Sequence, residues 1–194
     1  MAPAVSNMEE IIRKIKSCYP VSAASLDLLC QYLEMQHCQK RHLLVKSREK
    51  SRYAFFIAKG MTRSYWVVDG EEITTSFSEE GDIVFSMDEV YYGRLSEEYV
   101  ETLEDTIVYR IPVEVLCHLV ETNLELANWW RVIHQNEYRR IHRTHKERLT
   151  LPAAERYEAF CSQFPHVLRR ANLGYIASYI GVTLSTLSRL RSVD

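Results

Sequence analysis

Seven residues near the C-terminus, Thr183, Leu184, Ser185, Thr186, Ser188, Arg189 and Arg191, bring short hydroxyls and guanidinium groups close together. This is the chemistry that recognises nucleic acid. An arginine can pair bidentately with guanine O6 and N7, a serine can donate or accept at a base edge, and an apolar side chain can meet a thymine methyl. Arg189, Ser185 and Leu184 are therefore the candidate base contacts. Thr183, Thr186, Ser188 and Arg191, with Arg169 and Arg170 upstream, are candidates for holding phosphates or supporting the reading residues.

Such residues read a sequence only if a helix presents them. The stretch LGYIASYIGVTLSTLSRLR, from Leu173 to Arg191, predicts two helices. Ala177 is small enough for a close crossing, and Gly181 follows where the chain must turn sharply with positive φ. Ile176, Ile180, Val182, Leu187 and Leu190 supply the apolar contacts between the helices. Thr183 is placed to cap the second helix. That helix then exposes Leu184, Ser185, Thr186, Ser188 and Arg189, and its dimensions suit the major groove.

Other chemistry finds less support. The five cysteines, at 18, 30, 38, 117 and 161, are odd in number and show no CxxC spacing, which argues against a disulfide framework and a zinc site. The gaps between the first three are far wider than iron–sulfur clusters favour, so mostly buried thiols are expected. His142 and His145 stand at an i, i+3 spacing without a well-placed acidic third ligand, and read as surface residues. No Gly-rich phosphate loop, GxSxG or HExxH occurs. The chain is not expected to be an enzyme, and no metal or cofactor is expected.

The formal net charge of −2 is unevenly spread. From Arg131 onward there are 11 basic and 5 acidic residues, while the preceding part is acidic. A basic end on an acidic body fits a nucleic-acid-binding tail. No run approaches the roughly 18 apolar residues of a membrane span. The first residues carry charges where a secretory signal has its apolar run, so a cytoplasmic location is expected.

Three segments must position the tail. From about Asn7 to Gln36, Ile11, Ile12 and Ile15, then Leu26, Leu29 and Leu33, recur at helical spacing, with a break at Pro20 and a cap region at Ser22. From about His42 to Ile111 the runs HLLVK, YAFFIA, MTRSYWVV, EEITTSF, DIVFS, EYVET and TIVYRI read as strands. Lys59-Gly60, Asp69-Gly70 and Glu80-Gly81 mark turns, and Asp69-Gly70 carries the clearest hairpin signal. Successive strands without intervening helices predict an antiparallel jelly roll. A short helix follows Pro112, and Asn123 to about Leu149 predicts one long helix with Leu126, Trp129, Ile133 and Ile141 on a stripe and Trp130 beside it. These five residues are expected to form a dimer interface, although the stripe would also suit packing on the chain's own sheet. Leu151-Pro152 breaks that helix, and another begins at Ala153. The expected organisation is α+β: residues 1–122 a β-roll with N-terminal helices, 123–150 the long helix and hinge, and 151–194 the DNA-reading unit. With the chain ending at Asp194, just past the last helix, upstream basic residues such as Arg139, Arg140 and Arg143 are expected to add phosphate contacts.

With these motifs the chain resembles the Crp–Fnr regulators over most of its length. KGMTRSYWVVDGEEITTSFSEEGDIV is similar to their effector β-roll, the long helix to their dimerisation helix, and IASYIGVTLSTLSRLR to their helix-turn-helix. The resemblance implies a cyclic-nucleotide-binding-like fold, a homodimer, double-stranded DNA as partner and a two-fold symmetric operator. It implies an effector pocket at Gly81, Asp82, Ser86, Met87, Arg94, Ser96, Glu97 and Tyr99. Cyclic AMP itself is not expected there. The family's ribose-binding Glu falls near Ser86-Met87, and its phosphate-binding Arg-Ser pair falls at Ser96-Glu97, with Glu98 adding a second carboxylate. The remaining alternatives are a different small effector or a degenerate roll that serves as a protein-interaction module.

Overall fold

The computed structural model describes residues 3–192, with side chains from residue 8 onward. Two helices open the chain, α1 (Pro3–Cys18) and α2 (Ala23–Cys30). Ser22 caps α2 by accepting from the Ser25 amide. Eight strands follow: β1 (Glu34–Cys38), β2 (Leu43–Val45), β3 (Tyr53–Lys59), β4 (Thr62–Val68), β5 (Glu71–Ser78), β6 (Ile83–Val84), β7 (Tyr99–Thr102) and β8 (Thr106–Pro112). A short helix, α3 (Met87–Tyr92), interrupts them. Then come α4 (Val113–Thr122), the long α5 (Leu124–Thr150), α6 (Ala153–Gln163), α7 (Pro165–Arg170), α8 (Leu173–Ile180) and α9 (Leu184–Arg191).

The strands form two four-stranded antiparallel sheets, ordered β1-β8-β3-β6 and β2-β7-β4-β5. They face each other across a core of Leu44, Val45, Phe55, Ile57, Val84, Val100 and Val108. Side chains alternate along a strand, so Ala54, Phe56 and Ala58 of β3 lie on the opposite face. There they meet Ile11, Ile15, Leu26, Leu29, Leu116, Leu126 and Trp129 from the N-terminal helices, α4 and α5. The outer face of the other sheet is also covered. Met61 and Phe77 at β4 and β5, with Leu103, share a core with Tyr157, Phe160, Val167, Ile176, Ala177, Tyr179, Ile180 and Leu187 of the C-terminal helices. The roll is thus sandwiched between two helical layers. The chain is α+β with a jelly roll, a long helix and a C-terminal helix-turn-helix.

Two local elements differ from the sequence reading. The second helix ends at Cys30, and Glu34–Cys38 is an edge strand paired with β8, from Glu34↔Arg110 to Cys38↔Thr106. Glu34, Met35 and His37 are exposed, Gln36 is half-buried and only Cys38 is buried, so no apolar alternation announces it. Helix α3 is held by Ser86, which accepts from the Glu89 amide, and by left-handed Gly93 at its other end. The hairpin at Asp69-Gly70 has positive φ at both residues (53° and 84°), as a type I′ turn requires.

The long helix starts where Asn123 Oδ1 accepts from the amides of Glu125 (3.0 Å) and Leu126 (3.1 Å). Its first turns pack on the chain's own body. Leu126 and Trp129 are buried there and Trp129 stacks on Phe56, so neither belongs to a dimer interface as the sequence reading expected. Trp130 and Ile133 are half-buried against the same core, with Trp130 against Phe85 and His134. Beyond Gln135 one side of the helix turns to α8, through Arg140, Thr144 and Arg148, while Tyr138 (69% exposed), Ile141 (55%) and Leu149 (72%) stand in solvent. With exposed His145 they recur at spacings of three, four and four residues, one face of a helix.

Candidate nucleic-acid interface

The tail folds as its residue types dictate. Asn172 caps α8 by accepting from the Gly174 amide at 2.8 Å. Gly181 ends it with φ 72°, ψ 46°, and the Val182 amide returns to the Ala177 carbonyl at 2.9 Å. An added Cβ at Gly181 would meet nothing closer than Arg156 at 3.7 Å, so the left-handed backbone, and not lack of space, asks for glycine. Thr183 Oγ1 then accepts from the Thr186 amide at 3.2 Å and starts α9. Leu187 is wholly buried and locks α9 against α8 through Ile176 and Ala177.

The opposite face of α9 is open. Leu184 is 53% exposed, and Thr183, Ser185, Ser188, Arg189 and Arg191 are exposed as well. Thr186 is half-buried, and its hydroxyl lies 2.9 Å from that of Thr183. The Ser185 hydroxyl is also within 3.0 Å of Thr183 Oγ1, so three hydroxyls form one cluster at the helix start. Arg189 rests on this cluster, its Nη2 3.5 Å from Thr186 Oγ1. The helix N-terminus adds unpaired amides and a positive dipole end, both suited to a phosphate.

The structure divides the other candidate basic residues. Arg169 is exposed on α7. Arg170 is not available to phosphate: it holds Glu80 bidentately, at 2.8 and 2.9 Å, and also bonds Glu104. Burial raises the Glu80 carboxyl, but Arg170 and the Gly60 amide outweigh it and hold it below the usual carboxylate range. Arg140 is likewise occupied, bonding Glu137 and donating to the Tyr179 hydroxyl at 3.0 Å. Arg139 and Arg143 are exposed on α5. Arg148, from the last turns of α5, caps α8 by donating to the Ser178 (3.1 Å) and Tyr179 carbonyls. Sequence spacing could not separate these roles, because apart from Glu137, one helical turn from Arg140, the partners lie on distant segments. The expected end at Val193-Asp194 lies outside the described residues.

The expected effector residues fall in different local environments. The turn at Gly81 sits against α1, where Lys14 pairs with Asp82 at 3.2 Å. Ser86 is buried and used as the α3 cap. Met87 is half exposed, and Arg94 lies in solvent over Tyr92. Ser96 is buried, its hydroxyl donating to the Glu98 carbonyl at 2.9 Å and accepting from the Glu98 amide at 3.2 Å. Glu97 points to solvent. Tyr99 stacks on Tyr65 on the outer face of its sheet, because its neighbour Val100 points inward. Glu98, which the pocket assignment omitted, bonds the Thr75 hydroxyl at 2.5 Å. Burial, with Asp88 and Glu137 nearby, raises its carboxyl above the ordinary range despite that bond. Of the five free cysteines only Cys38 is buried; the others are half-buried.

Comparison with known proteins agrees with this architecture. Residues 35–123 match the cyclic nucleotide-binding domain family. The chain is 27% identical over 191 residues to electron transport regulator A of Shewanella oneidensis, spanning 89% of this chain and 73% of that protein. It is 29% identical over 189 residues to the fumarate and nitrate reduction regulatory protein of Vibrio cholerae, with the same coverage. A crystal structure of a crp/fnr family transcriptional regulator from Eubacterium rectale superposes with a TM-score of 0.69, at 17% identity, over 91% of this chain and 87% of that one. A roll of the cyclic nucleotide-binding type, a long helix and a capped helix-turn-helix thus stand together in a chain that is similar to these regulators over most of its length.

Proposed function

We propose that this chain is a cytoplasmic regulator, not an enzyme, that reads a two-fold symmetric DNA sequence as a homodimer. The observation that carries this reading is the open face of α9, where Leu184, Ser185 and Arg189 stand exposed around a three-hydroxyl cluster while Leu187 anchors the opposite side. Arg189 reads a guanine, Leu184 a thymine methyl and Ser185 a neighbouring edge. Thr183, Thr186, Ser188, Arg191 and Arg169 hold or support the phosphate contacts. A second copy covers the exposed stripe of Tyr138, Ile141, His145 and Leu149 on α5, placing two α9 helices about one turn of DNA apart, roughly 34 Å.

Cyclic AMP is not the signal in this reading. A phosphate beside Ser96-Glu97-Glu98 meets two carboxylates, and the Ser96 hydroxyl is already bonded on both sides by the Glu98 backbone. The test is selection of binding sites from random duplex DNA with wild type and Arg189→Ala. Wild type is expected to return a symmetric site. Arg189→Ala is expected to lose about 1–3 kcal/mol of discrimination at one position in each half, with cyclic AMP changing neither. Equal binding of all sequences by both proteins overturns the reading.

A further inference from the structure

Arg63, on the outer face of the sheet that carries the reading head, is the largest fully buried side chain among the described residues, and it is charged. Only 1% of it reaches solvent. Its guanidinium carbon lies 4.1 Å from the centre of the Tyr65 ring on one side and 3.5 Å from that of Tyr175 on the other. Tyr65 belongs to the roll and Tyr175 to α8. Around the edge of this stack, Arg63 Nη2 donates to Glu72 of β5, and Nε lies 3.5 Å from Glu101 of β7. Beside it, Ser178 of α8 closes the open edge of β5: its hydroxyl accepts from the Thr74 amide at 2.9 Å and donates to the Glu72 carbonyl at 3.1 Å.

The apolar part of this junction, Met61, Phe77, Leu103, Phe160 and Tyr179, gives adhesion without direction. The arginine gives direction. A planar cation between two rings, with carboxylates at its rim, is satisfied only when both rings and both strands hold one arrangement. Its contribution to bare stability is poor, because Nε and Nη1 lack hydrogen-bond partners and a buried charge is costly to desolvate. Opening the junction rehydrates the cation, so the joint can part without stranding a charge.

We propose that Arg63 is a positioning residue for DNA reading: it fixes the angle at which α8, and α9 with it, stands on the roll, and thereby sets the half-site spacing that a dimer accepts. This rests on the DNA-reading function proposed above. It is tested with the full-length protein and with Arg63→Met and Tyr175→Ala, which break the stack from opposite sides. Each binds duplexes carrying two selected half-sites at graded spacings, and a duplex with one half-site. Hydrogen exchange at the Thr74 amide is followed without DNA.

Wild type is expected to prefer one spacing by about ten-fold over spacings one base pair away. Both variants are expected to keep single-half-site affinity within about two-fold, to lose most of the spacing preference, and to exchange Thr74 faster. A spacing preference as sharp in both variants as in wild type overturns the proposal. If wild type binds no DNA at any spacing, the DNA reading fails instead. Thr74 exchange then decides the role of Arg63 separately: unchanged protection in both variants overturns it. Should Arg63→Met fail to fold, Tyr175→Ala puts the same question from the head side.

Discussion

Arg170 grips Glu80 with both terminal nitrogens, Nη1 to Oε2 at 2.9 Å and Nη2 to Oε1 at 2.8 Å, tying α7 to the turn that follows β5. The pair joins the reading unit to the roll, and its strength follows the charge on Glu80. A carboxyl held below its unfolded value contributes stability that is complete above the normal carboxylate range and is lost as the pH falls through the folded value. Glu80→Gln is therefore expected to lower Tm at neutral pH. The gap to wild type should close in acid, below the ordinary titration range of glutamate. Thermal melts of the two proteins across that range check this, and a gap that widens on acidification contradicts the assignment.

Gly181 is a conformational requirement. Alanine there must occupy φ 72° without any compensating contact, which costs about 1–2 kcal/mol. Gly181→Ala is expected to lower the denaturant midpoint with an unchanged slope. Gly174→Ala is the comparison. It lies in the first turn of α8, has no left-handed φ, and its nearest foreign atom is Asn172 Oδ1 at 3.3 Å. A midpoint at Gly181→Ala no lower than at Gly174→Ala counts against the turn geometry.

The stripe on α5 makes a third expectation. Ile141→Glu places a carboxylate on the exposed face while leaving buried Leu126 and Trp129 untouched. Light scattering is expected to show a dimer for wild type and a monomer of unchanged helix content for the variant, with DNA affinity falling by at least about ten-fold because each head then binds alone. A variant that stays dimeric moves the interface elsewhere.

How much of this could be read from residues alone varies with the range of the contacts involved. Strands β3 to β5 were legible because their β-branched and aromatic residues fall between turns that need glycine, and Thr183 and Gly181 marked the reading helix in the same local way. Strand β1 was hidden because an exposed edge strand needs no apolar alternation. On α5, helical spacing identified a stripe but could not say what covers it. The body takes Leu126 and Trp129, and Tyr138 and Ile141 stand beyond its reach. Arg63 and Arg170 were the least legible. Strand pairing gathers Tyr65, Glu72 and Glu101 around Arg63, and the docking of α7 and α8 on the sheet adds Tyr175 and brings Arg170 to Glu80 and Glu104.

That docking has a consequence for biogenesis. A ribosome releases the roll before helices α6 to α9, so Met61, Phe77 and Leu103 emerge without the side chains that later cover them. Until the last helix leaves the exit tunnel, the nascent chain displays these apolar side chains, and Arg63 lacks the Tyr175 ring that later covers it. Severed at residue 150, the roll would keep three of the eleven buried side chains of that core and the head eight, so the roll would be the fragment left with an uncovered apolar face.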